Sequence, residues 1–144
     1  METILVSACL LGRCCKYSGG HNRNEAVITF LRGRHYIPVC PESLVLPAPR
    51  SPVELRGGRV VTEDGRDLTA LYEKGVAETL ARLGGASVTL AILKARSPTC
   101  GSDEIYDGTF SHCRVPGDGL LARALKERGI PVRTEEDIAR LMEG

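Results

Sequence analysis

The stretch SVTLAILK, Ser87 to Lys94, runs almost directly into the turn SPTCGS, Ser97 to Ser102, and its reading decides the fold. A short apolar run bounded by turn residues predicts a strand buried on both faces. Strands of that kind belong to parallel sheets covered by helices, so the flanking sequence is expected to alternate between the two element types.

Upstream, Asp67 is placed to cap a helix whose Tyr72, Val76, Leu80 and Leu83 share one face, and Gly84-Gly85 ends it. Nearer the N-terminus, TILVSA reads as a second buried strand leading to Cys9. Ala26, Val27, Phe30 and Leu31 then recur at helical spacing before Gly33. HYIPVC reads as a short strand that stops at Cys40, with Pro38 placing it at an edge because proline has no ladder donor. Pro41, Pro47 and Pro49 predict a rigid loop rather than a helix between Pro41 and Arg50. VELRGGRVVTEDG has the alternation and the Gly-Gly turn of a hairpin, a flap that can cover a site.

Downstream, EIYDGTF alternates around Asp107-Gly108 and reads as another small hairpin turning there or as an ordered loop. Asp118 is expected to cap a helix with Leu120, Leu121, Ala124 and Leu125 inward and Gly129 as its stop, and IPVRT to form a last strand. Thr134 followed by Glu135, Glu136 and Asp137 opens a terminal helix that Ile138 and Leu141 would dock. The expected architecture is one α/β domain over residues 1–144. It is a three-layer Rossmann-like fold with a mostly parallel sheet, right-handed crossovers and a small β-hairpin insertion.

Composition narrows the function. The net charge of +1 supplies no global attraction for nucleic acid or anionic membrane, which disfavours direct nucleic-acid binding. No run reaches the ~18 apolar residues of a membrane span. METILVSACLLG has no basic segment before its apolar stretch, so it does not read as a signal peptide, and a cytoplasmic chain is expected. In a reducing compartment the six cysteines read as ligands, catalysts or small buried hydrophobes rather than disulfides.

Ligands of open parallel sheets bind beyond the carboxyl ends of the strands. Cys9, Cys40 and Cys100 each stand at or just past such an end, so topology can gather them without any local Cys-x-x-Cys or zinc-finger spacing. Glu42, two residues after Cys40, and Ser97, which opens the Cys100 turn, are the polar candidates for the same crevice. Their plain alternatives are an exposed loop carboxylate and a turn hydroxyl bonding local backbone. Cys15 stands open between a fourth site residue and a structural thiol, while Cys14 and Cys113 look incidental. His21, His35 and His112 read as solvated surface residues.

The segments SACLLG, CKYSGG, PVCPE, LPAPRSPVEL, ILKARSPTCG, IYDGTFS and VPGDGLLARAL resemble, in that order, the signature segments of the DUF523 family, whose characterised members are thiouracil desulfidases. The resemblance runs from about Thr3 to Val132. It implies a [4Fe-4S] cluster held by Cys9, Cys40 and Cys100, with one iron left without a protein ligand. It also implies that Glu42 and Ser97 act beside the cluster on a small thiolated nucleobase or nucleoside, releasing the oxo base and hydrogen sulfide without net redox change. Thiolates are soft ligands suited to such clusters, and an open iron is a Lewis acid toward sulfur. The family's usual CRYDG stands here as CKYSG, so Lys16 replaces a planar arginine and Ser18 an aspartate. Cys113, in FSHC, is a local feature. From the cysteines alone, a noncatalytic iron-sulfur module that carries sulfide and a three-cysteine zinc hydrolase remain open.

Overall fold

The computed structural model describes residues 2–143. The chain forms β1 (Glu2–Ser7), a 3-10 turn (Ala8–Leu11), α1 (Glu25–Leu31), β2 (Tyr36–Val39), α2 (Pro41–Val45), β3 (Val53–Arg56) and β4 (Arg59–Thr62). It continues through α3 (Thr69–Leu83), β5 (Ser87–Leu93), β6 (Glu104–Tyr106), β7 (Arg114–Pro116), α4 (Leu120–Glu127), β8 (Val132–Thr134) and α5 (Glu135–Glu143). The main sheet has the order β2-β1-β5-β8 and is parallel throughout, with β3-β4 and β6-β7 as separate antiparallel pairs. The strand SVTLAILK is thus interior, and the Pro38 strand lies at the edge.

Alternation along the central strands builds the three layers. Leu5, Ala91 and Leu93 pack toward Val76 and Leu83 of α3 and Leu121 and Leu125 of α4. Ile4, Val6 and Ile92 pack on the other side, with Val27 and Leu31 of α1 and Ile138 of α5. Each fully buried aliphatic side chain contributes about 1.5–3 kcal/mol, so the two faces together carry much of the fold's stability. A third cluster joins Val53, Leu55 and Val60 of the hairpin to Tyr72 of α3.

Four local expectations are corrected. Residues 41–45 are helical, not loop, because Pro41 occupies the first turn, where a missing N–H costs nothing. The second hairpin pairs Glu104–Tyr106 with Arg114–Pro116 around a wide loop instead of turning tightly at Asp107-Gly108. Asp118 does not cap α4. Gly119 is the N-cap, and Asp118 Oδ1 instead accepts from the Asp103 N–H at 2.8 Å and from Lys126 Nζ at 2.7 Å. Leu141 is 63% exposed, leaving Ile138 to dock α5. Asp67 does serve α3, accepting the Thr69 N–H at 2.9 Å from one residue before the N-cap. No helix among the described residues is long and apolar enough to cross a membrane.

Candidate active site

A cavity of about 520 Å³ opens beyond the carboxyl ends of β1, β2 and β5, and Cys9, Cys40, Cys100, Glu42 and Ser97 all line it. All five residues singled out in the sequence therefore meet. Each cysteine is placed by a different device. Cys9 sits in the 3-10 turn closed by Gly12 at φ +97°, and Asn22 Nδ2 donates to its sulfur at 3.4 Å. Cys40 is the N-cap residue of α2. Cys100 is buried where α4 abuts the turn: Leu121 N–H donates to the Thr99 carbonyl at 2.7 Å. A Cβ on Gly119 would lie 2.5 Å from Thr99 backbone, so only glycine permits that approach.

The thiols differ in electrostatic setting. A hydrogen bond from the Cys15 thiol brings Cys40 down to about 6, with burial opposing it and Ser43 assisting. The Cys15 bond also lowers Cys9, against burial and with help from Asn22. Cys15 itself is driven upward by the bonds it gives to Cys40 and Cys9 and by burial, which marks it as the protonated member of the trio. Burial pushes the Cys100 thiol up, with Ser7 opposing. Cys15 lies in the cavity wall, while Cys14 and Cys113 are exposed.

Glu42 is held on both oxygens. Thr99 Oγ1 donates to Oε1 at 2.8 Å and Arg50 Nη2 to Oε2 at 2.9 Å. The Arg50 side chain is only 3% exposed, and it also donates to the carbonyls of Cys15 at 2.8 Å and Leu46 at 3.2 Å. One buried guanidinium thus ties the Cys15 loop to α2. The helix is seated by Gly75 of α3, where a Cβ would lie 2.3 Å from the Pro41 carbonyl. Ser97 Oγ accepts the N–H groups of Thr99 at 3.2 Å and Cys100 at 3.1 Å, so it builds the cysteine turn while leaving its own O–H to donate. At the exit of β5, Glu135 accepts the Ala95 N–H at 2.7 Å and pairs with Lys94 at 2.8 Å.

Arg50, Asn22, Tyr72, Tyr106 and Phe110 also line the cavity and were missed in the sequence. The one signal was a charged residue inside the proline-rich LPAPRSP segment. His112 is exposed, as expected of a surface residue, and also lines the cavity, whereas His21 and His35 bond local backbone and Thr3. Among the described residues no three His, Cys, Asp or Glu side chains converge to hold a single metal ion. A single zinc needs its thiolate sulfurs all about 2.3 Å from one point, whereas a cluster distributes its ligands over several irons.

The family model for 2-thiouracil desulfurase matches residues 4–137, a span that includes every cavity residue named above. The chain belongs to the 2-thiouracil desulfurase family. A relative from Bacillus subtilis (strain 168), the uncharacterized protein YbbK, is 38% identical over 146 residues, covering 94% of this chain and 97% of YbbK. A solved structure described as the [4Fe-4S]-dependent thiouracil desulfidase TudS shares 37% identity and superposes with a TM-score of 0.85, covering 99% of this chain and 96% of TudS. In this desulfurase-family chain the α/β architecture and the parallel sheet are those of a thiouracil desulfidase.

Proposed function

We propose that this single-domain chain is a [4Fe-4S]-dependent desulfidase. It hydrolyses the carbon–sulfur bond of a 2- or 4-thiouracil-like base or nucleoside to give the oxo base and hydrogen sulfide. The observation that carries the reading is the gathering of Cys9, Cys40 and Cys100, from three strand ends, in one cavity with Glu42. Their chemistry fits the cluster: the donors are all soft sulfurs, and two of them are biased toward thiolate. Cys9, Cys40 and Cys100 would be its ligands. When bound, the cluster supplies a Lewis-acidic iron without a protein ligand, which draws electron density from the thiocarbonyl.

The remaining work falls to the chain. The Arg50 and Thr99 bonds hold the Glu42 carboxylate in one orientation, from which it takes the proton of the attacking water and later returns it to the departing sulfur. Ser97 uses its free O–H to hold the ring in register, its oxygen already fixed by the Cys100 turn. The balance is one thiocarbonyl and one water to one carbonyl and one hydrogen sulfide, with no electron transferred. Unpaired cysteines among the described residues and an oxygen-sensitive cofactor suit the cytoplasm.

Anaerobic reconstitution with iron and sulfide, followed by metal analysis and sulfide assay on 2- and 4-thiouracil, tests the proposal. Iron-loaded protein that turns over repeatedly is expected. Colourless protein retaining zinc would overturn the cofactor, and one sulfide per chain without repetition would favour the carrier.

A further inference from the structure

The loop joining β6 to β7 brings Phe110 and His112 to the cavity with φ of +58° and +60°. Left-handed backbone at a bulky residue is costly and persists only where its surroundings enforce it. Here the β3–β4 hairpin does so. Glu54 Oε1 accepts the N–H groups of Gly108 at 3.0 Å and Phe110 at 3.1 Å. Arg56 donates to the Gly108 carbonyl through Nε at 3.1 Å and Nη2 at 2.6 Å. Gly108, at φ +92°, leaves no room for a Cβ, which would stand 2.5 Å from that of Arg56. Beside Phe110, the Tyr106 and His112 rings meet edge to face, with centroids 6.0 Å apart.

Two side chains from a distant hairpin thus hold a half-exposed aromatic ring in an unfavourable backbone state on the wall of the cysteine cavity. We propose that Phe110 is the platform on which the planar ring of the thiolated pyrimidine stacks, with Tyr106 and His112 closing the rim and Glu54 and Arg56 as positioning residues. The inference rests on the desulfidase reading and adds the residue that recognises the ring rather than its sulfur. Stacking uses the ring's π-face, which the oxo product also presents.

Equilibrium dialysis of uracil against the cluster-loaded protein reads this contact without requiring turnover. Phe110→Ala should weaken uracil binding about tenfold with iron content unchanged, and Phe110→Tyr should restore it. Glu54→Gln should weaken binding in the same direction but less, and should raise KM for 2-thiouracil more than it lowers kcat. Unchanged uracil affinity in folded, iron-loaded Phe110→Ala would overturn the platform, as would a wild-type protein that binds no uracil. Sulfide release is scored separately. Phe110-dependent uracil binding without sulfide release would keep the platform and remove the desulfidase reading.

Discussion

The cavity has two walls built on different principles. The sheet wall carries Cys9, Cys40, Cys100 and Glu42 on strand ends and helix starts, where buried backbone bonds and the Arg50 guanidinium leave each group little freedom. The hairpin wall carries Phe110 and His112 on an outer loop held by the side chains of Glu54 and Arg56. Chemistry is assigned to the wall fixed by backbone and guanidinium bonds, and recognition to the wall fixed by side chains reaching across from the β3–β4 hairpin. Substitutions should separate accordingly: the first wall governs cofactor and rate, the second affinity.

The largest effect is expected from Cys100→Ala, which should lose the bound iron and all sulfide release; iron analysis after anaerobic reconstitution checks it. Glu42→Gln should keep the iron but lower kcat by about 10²–10⁴, the usual range for removing a general base, measured by sulfide production. Retained kcat would remove Glu42 from the chemistry and blur the contrast between the walls. Arg50→Met leaves Glu42 short of its buried partner and should cost about 3 kcal/mol, read from urea unfolding of the cluster-free chain.

The smallest effect concerns pH. Cys40 is lowered to about 6 by the Cys15 bond, so it is ionised above that value, and its alkylation by iodoacetamide in the cluster-free chain should fall as pH drops through about 6. Cys15→Ala removes the donor, and the midpoint should climb toward the ~8.5 of an ordinary thiol. An unmoved midpoint would remove Cys15 from the sheet wall's electrostatics.

The sheet wall was legible in the sequence because its signals are local. Apolar runs mark β1 and β5, and a turn carrying a cysteine follows each, so strand-end topology could gather the thiols. The family resemblance then supplied the cluster and the reaction, which residue spacing alone left open. The helix α2 was hidden by Pro41 and the prolines that follow it, and its seat on Gly75, more than thirty positions away, leaves no local signal. Arg50 and the aromatic loop were hidden for a similar reason: the Glu54–Phe110 bond links residues 56 positions apart, and no periodicity records it. Ser97 was read both toward substrate and as a turn hydroxyl bonding local backbone, and its oxygen does accept the N–H groups that shape the Cys100 turn.

Hydrolytic carbon–sulfur cleavage at the three-cysteine site is tested most directly by anaerobic turnover of 2-thiouracil by the iron-loaded protein in ¹⁸O-labelled water. One labelled oxygen is expected in each uracil formed and one sulfide released with it, over many turnovers and without added reductant. Unlabelled uracil, or sulfide that stops at one per chain, would contradict it.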